Sequence, residues 1–245
     1  MSTLTKITNV EYKLFLRDTT SAVMAFALPI GLMVVFGSIG MGQDDGGGDN
    51  NVSEAFLPVM ALSLSIALLA LSVLPTVLAT YREKGILRRL STTPVHPGNV
   101  LAAQLLVNLA AAVVAAVLVL VLAAAAFDLG TPGNAAGFLV AFVLTSSALF
   151  GLGLLVAALA PTGKAATSLG MLLFFPSMFF AGVWTPGDLM PSWARPVRDV
   201  SPLGAGMEAM QKAWDGGWPD TTNLLALVVA TLVTGALAAK VFRWE

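Results

Sequence analysis

YREKGILRRLSTTPVHPGN, residues 81–99, crowds Arg82, Glu83, Lys84, Arg88 and Arg89 into eight positions of a 245-residue chain in which only 11% of residues are charged. The runs on either side are long and apolar. The segment is therefore either a passive turn on a membrane surface or the part that something grips. An ordinary soluble domain carries about a quarter charged residues. This chain is 57% hydrophobic with a mean hydropathy of +0.83, the composition of a membrane protein. Its charges separate six uncharged runs, at 19–43, 55–81, 90–127, 129–163, 165–187 and 221–239. Each meets the roughly 20 residues that a helix needs to cross about 30 Å of hydrocarbon, the last only just. A charge at mid-bilayer costs about 2.5–3.5 kcal/mol on insertion scales, so the charged residues mark span ends. Six transmembrane helices are expected, at about 20–41, 56–80, 99–126, 136–160, 165–185 and 222–240.

Counting Lys and Arg on alternate sides of these spans gives the orientation. Ten fall on the side of the N-terminus: Lys6, Lys13, Arg17, Arg82, Lys84, Arg88, Arg89, Lys164, Lys240 and Arg243. Arg195, Arg198 and Lys212 fall on the other. Both termini are expected to be cytoplasmic, with the net charge of −1 split into +6 inside and −7 outside. The chain has no cysteine, which excludes disulfides, thiolate metal sites and thiol nucleophiles. The first apolar run is longer than a secretory signal core, so an uncleaved first span is expected.

Ahead of that span, Leu4, Ile7, Val10 and Leu14 lie near one helical stripe with Lys6, Lys13 and Arg17 around it, the pattern of an amphipathic helix on the membrane surface. In the second span Ser65, Ser72, Thr76 and Thr80 recur at steps of seven, four and four, placing four hydroxyls on one face. Two readings stand: small hydroxyl residues for close helix packing, or a substrate-lined face. Gln104 and Asn108 share a face near the start of the third span. Pro161 and Gly163 break the chain into a tight turn between spans four and five. Outer segment 186–221, rich in proline, is expected to form a short helix or re-entrant hairpin, with Trp184, Trp193, Trp214 and Trp218 in the interface belt.

No expected span carries an Asp, Glu, Lys or Arg before its end, where Lys240 closes the last, which speaks against intramembrane hydrolysis and proton relays. His96, the single histidine, stands between Pro94 and Pro97 in a turn. Gly163-Lys164 lacks the earlier Gly and the following Ser or Thr of a phosphate loop. Catalytic and metal residues are thus expected to be absent, and no nucleic-acid partner is expected. Any ATP dependence must come from a second polypeptide.

Treated as a helix from Tyr81 to about Ser91, the opening segment places Glu83, Ile86, Leu87 and Leu90 on one stripe, ended by Pro94, Pro97 and Gly98. Periodicity leaves open an amphipathic turn at the anionic membrane surface or a docking element for a cytoplasmic partner. The wider stretch YREKGILRRLSTTPVHPGNVLAAQLL resembles the loop after the second span in ABC-2 type transporter permeases. There an acidic residue, Gly, spaced Leu and a Ser/Thr-x-Pro turn recur. FFPSMFFAGVWTPGDLMPSWARPVRDVSPLGAGMEAMQ, residues 174–211, is similar to that family's fifth-span end, with its Met-Pro-x-Trp and later Ser-Pro-Leu. Gly204-Ala205 after Ser-Pro-Leu departs from relatives that carry a Thr and a bulkier polar residue.

The resemblance implies one ABC-2 type transmembrane domain over 1–245, an all-α, six-span membrane protein of the type V ABC exporter kind. It also implies a half-transporter that pairs with a second permease copy or paralogue in the bilayer. Each half would contact a separate ATP-binding cassette subunit that holds the ATP and Mg. Residues Arg82, Glu83, Lys84, Gly85, Ile86, Leu87, Arg88, Arg89 and Leu90 would form the coupling helix. The expected activity is export across a bacterial cytoplasmic membrane of a hydrophobic or amphipathic compound, such as a drug or antibiotic. The expected path is lined by Ser65, Ser72, Thr76, Met171, Phe175, Met178 and Phe179. Lipid, glycolipid or polysaccharide export is the alternative within the family, and a sensing or immunity protein, or a passive pore, the alternative outside it.

Overall fold

The computed structural model describes residues 3–39, 54–86, 89, 98–185 and 190–241, which form a helical bundle with no strand among them. Helix α1, Thr3–Arg17, is the expected amphipathic helix and packs along the start of the long helix Gly98–Phe127. Its inward face is not the expected stripe. Leu4, Ile7, Glu11 and Phe15 turn inward, while Val10 and Leu14 stay about half exposed. A carboxylate thus sits at the centre of the packed face. Asp18 then caps the next helix, Oδ1 accepting from Thr20 N–H at 3.1 Å and Oδ2 from the Ser21 hydroxyl, so the chain turns from the surface into the bundle there.

Among the described residues, five helices are long and apolar enough to cross a membrane: α2 (Thr19–Ser38), α3 (Phe56–Glu83), α4 (Gly98–Phe127), α5 (Ala135–Leu159) and α9 (Thr221–Val241). The expected fifth span, 165–185, is α6, Gly163–Phe180, an 18-residue helix that carries Lys164 in its first turn and Pro176 within it. It stands outside those five. Helix α3 is the centre of the bundle, with 94% of its apolar window buried, against 17% for α9 at the periphery.

Two spans contain one turn of π-helix, Val23–Ala27 in α2 and Leu69–Val73 in α3, each followed directly by Leu-Pro. The Leu N–H reaches five residues back, Leu28 to Val23 and Leu74 to Leu69, and the following proline has no N–H to offer. In α3 this removes the usual partners of the Ala70 and Leu71 carbonyls. Those two oxygens face glycines of the neighbouring helices: a Cβ on Gly153 of α5 would overlap the Ala70 oxygen, and one on Gly170 of α6 the Leu71 oxygen. Only glycine lets the backbones approach so closely, with Cα–H groups against carbonyl oxygens.

Segment 190–221 holds two short helices, α7 (Arg195–Val200) and α8 (Pro202–Trp214). Ser201 caps α8 through Gly204 N–H at 3.1 Å, and Pro202 starts it. Helix α8 is buried along nine of its residues, its Gly206 pressed on Thr145 of α5. The expected belt divides. Trp184, Trp193 and Trp218 are exposed, whereas Trp214, in the last turn of α8, is buried edge-on against Phe138 at 6.0 Å.

Candidate functional site

The crowded charges of residues 82–90 begin in the last turn of α3. Arg82 and Glu83 extend that helix, and it ends at Lys84, after which Gly85 takes φ 66° and its N–H bonds Arg82 O at 2.9 Å. Glycine supplies that left-handed step without a Cβ penalty. A single helix from Tyr81 to Ser91 is therefore broken at Gly85. Ile86 and Arg89 are helical beyond the break, with Arg89 N–H bonded to Gly85 O at 3.1 Å. Leu87, Arg88 and Leu90 lie outside the described residues.

Ahead of the break, the half-buried Arg82 and the exposed Glu83 both reach onto the α5–α6 turn. The Arg82 guanidinium donates to Ala158 O at 3.2 Å and to Ala160 O, at the C-terminal end of α5. Glu83 Oε2 accepts the Gly163 N–H at 2.9 Å, at the first residue of α6. Each charge meets the helix end of opposite polarity: the cation the carbonyl end, the anion the amide end. Thr162 completes the turn by accepting from Ala165 N–H at 3.1 Å. Packing reinforces the tie, because a Cβ on Gly163 would overlap the Thr80 hydroxyl. The end of the most buried helix and the α5–α6 turn thus form one clamped unit. Past it, Lys84 and Arg89 are exposed, and Ile86 borders a mainly apolar cleft with Ile7, Val10 and Val100, whose lining also includes Lys6 and Glu11.

The residues singled out as a transport path are spread out. Ser65 is buried and bonds Ala61 O of its own helix at 3.0 Å, and Ser72 is half-buried. Thr76 meets the Thr167 hydroxyl of α6 at 2.9 Å. Met171 is half-buried and Met178 fully buried in the core. Phe175 is 59% exposed on the outer face of α6, while Phe179 stacks on Trp193 at 6.3 Å. Of the seven, Thr76 alone borders a cleft described here, together with Glu11, Asp18, Thr80 and Tyr81.

A buried polar cluster beside that cleft was not visible in the periodicity. Glu11 Oε2 accepts from Tyr81 Oη at 2.8 Å and from Gln104 Nε2 at 2.5 Å, and Asn108 Nδ2 donates to Gln104 O at 2.8 Å. Three segments, α1, the end of α3 and the start of α4, meet on one carboxylate. Burial pushes the Glu11 carboxyl above its ordinary range, against the lowering effect of its two hydrogen bonds. The shared face of Gln104 and Asn108 was the available signal, lacking only its partner. On the opposite end, Arg198 and Glu208 pair at 3.4 Å, and burial likewise raises the Glu208 carboxyl.

The family model for the ABC-2 type transporter matches residues 4–214, most of the chain. The chain belongs to the ABC-2 type transporter family. Among curated relatives, the probable multidrug ABC transporter permease YbhR of Escherichia coli strain K12 is 27% identical over 172 residues. The same protein from Escherichia coli O157:H7 matches equally. The match covers 67% of this chain and 46% of the relative, so the aligned region spans about half the length of those proteins. For this ABC-2 family member, the matched region includes both the clamped α5–α6 turn and the buried α8.

Proposed function

We propose that this chain is the membrane-spanning subunit of an ATP-driven ABC exporter, with α6 as the fifth of six spans and both termini in the cytoplasm of a bacterial cell. The clamp carries the reading. A membrane domain without a nucleotide site of its own must receive its work through a contact, and that contact must reach the core. Arg82 and Glu83 fix the end of α3 to the α5–α6 turn, so a displacement applied just beyond Gly85 moves three helices together. The segment then divides its labour: Arg82 and Glu83 transmit, while Lys84, Ile86, Arg89 and the residues around them dock on the ATPase. ATP and Mg are held by that partner, and a second permease copy completes the path.

Its cargo is a hydrophobic or amphipathic compound, in line with the multidrug wording of the relative's name. No step of catalysis is assigned to this chain. Affinity purification from solubilised native membranes tests the proposal. An ATPase of the cassette type recovered with the permease is the expected result. A folded, monodisperse permease that brings down no ATPase would overturn the proposal in favour of a pore or sensing protein.

A further inference from the structure

The cleft of about 370 Å³ between α1, the start of α2 and the last turns of α3 has a lining unlike the rest of its end of the bundle. That end carries Lys6, Lys13, Arg17, Arg82, Lys84 and Lys164, yet no Lys or Arg lines the cleft. Two carboxylates do, Glu11 and Asp18, with Thr76 and Thr80 beside them and Phe15 and Val73 as apolar wall. The volume is in the range of small-molecule sites. Glu11 is 7% exposed, and the partners on its Oε2, Tyr81 and Gln104, are both neutral. A buried carboxylate without a cation is costly, and such groups are ordinarily paired or protonated.

We propose that this cleft is a binding site for a monovalent organic cation with an apolar body, its positive centre beside Glu11 and its body against Phe15 and Val73. This rests on the exporter reading and assigns the cargo class to it. An anionic or phosphorylated compound finds no cation here. A metal ion is a poor fit, since the described residues hold no group of three or more His, Cys, Asp or Glu suited to one. The raised Glu11 carboxyl agrees, because it marks a charge that burial disfavours and that an adjacent cation would compensate. Asp18 already serves as the cap of α2, which holds its charge at the mouth of the cleft.

The test is equilibrium dialysis of the full chain in dodecyl maltoside, a detergent without charge, against protein-free micelles. Tetraphenylphosphonium is the probe, and neutral triphenylphosphine oxide the comparison. Saturable phosphonium binding, at least tenfold tighter than that of the oxide, is expected. Glu11→Gln, which keeps an acceptor for Tyr81 and Gln104, should weaken it at least tenfold. Equal affinity for the two probes overturns the proposal, and so does phosphonium binding unchanged in folded Glu11→Gln. If that variant does not fold, Val77→Phe, which fills the cleft from the α3 wall, should abolish binding, and binding unchanged in it is refuting. Loss of the site is distinguishable from loss of the exporter reading. An ATPase that co-purifies with a permease indifferent to the cation sinks the site alone, and cation binding without any ATPase sinks the exporter alone.

Discussion

Removing the Glu83 carboxylate should open the start of α6. In Glu83→Ala the Gly163 N–H loses a 2.9 Å acceptor and the amide end of α6 loses its anion. Hydrogen bonds to charged groups contribute about 1.5–3 kcal/mol when well buried, and a carboxylate at an exposed helix N-terminus about 0.3–1 kcal/mol. Glu83 is exposed, so the expected loss is about 1 kcal/mol, a factor of about five in the local opening equilibrium. Arg82→Met should cost more, about 2–4 kcal/mol, because its guanidinium is half-buried and serves two carbonyls, one of them on the fully buried Ala160. Hydrogen–deuterium exchange of detergent-solubilised protein reads both. The peptide covering 159–168 should exchange about fivefold faster in Glu83→Ala and faster still in Arg82→Met, with the middle of α3 unchanged. Unaltered exchange at 159–168 in both variants would refute the clamp.

Gly153→Ala and Gly170→Ala should each reduce the yield of monodisperse protein on size-exclusion chromatography, at about 1–3 kcal/mol or more, because each new Cβ meets a carbonyl of the α3 π turn. Gly31→Ala, with nothing within 4 Å, should be neutral or slightly stabilising. Trp214→Ala should lower thermal stability by about 3–5 kcal/mol, while Trp218→Ala should be nearly silent, since the first ring is buried on Phe138 and the second is exposed. Because burial raises the Glu11 carboxyl in the folded chain, the folded state holds that proton to higher pH than the unfolded one. Its favourable contribution is complete below the ordinary value of 4.5 and is lost as pH rises above it, so melting temperatures of wild type relative to Glu11→Gln should fall across that range.

The charges that punctuate the chain made the apolar spans legible, because a charge in hydrocarbon costs more than any local preference returns. The surface helix 3–17 was legible for the same reason. Its rotation was not, since placing Glu11 inward depends on donors from Tyr81 and Gln104, 70 and 93 positions away. The clamp left no trace in the sequence because Ala158, Ala160 and Gly163 contribute only backbone atoms. Nor did periodicity mark the π turns. Leu28-Pro29 and Leu74-Pro75 were the cue, but the glycines that accommodate the second turn lie on α5 and α6. The hydroxyl face of α3 left both packing and substrate lining open. Ser65 and Thr80 each bond a carbonyl of their own helix, whereas Thr76 bonds Thr167 of α6, and of the three Thr76 and Thr80 border the acidic cleft.

The division of residues 82–90 into an inward clamp and an outward dock is tested most directly by purifying the permease with its ATPase and comparing two variants. Arg82→Met with Glu83→Gln should retain the ATPase but lose the stimulation of ATP hydrolysis that cargo produces in wild type. Ile86→Asp with Arg89→Glu should release the ATPase from a permease that remains folded. Retention of full, cargo-stimulated hydrolysis in both variants would contradict the account.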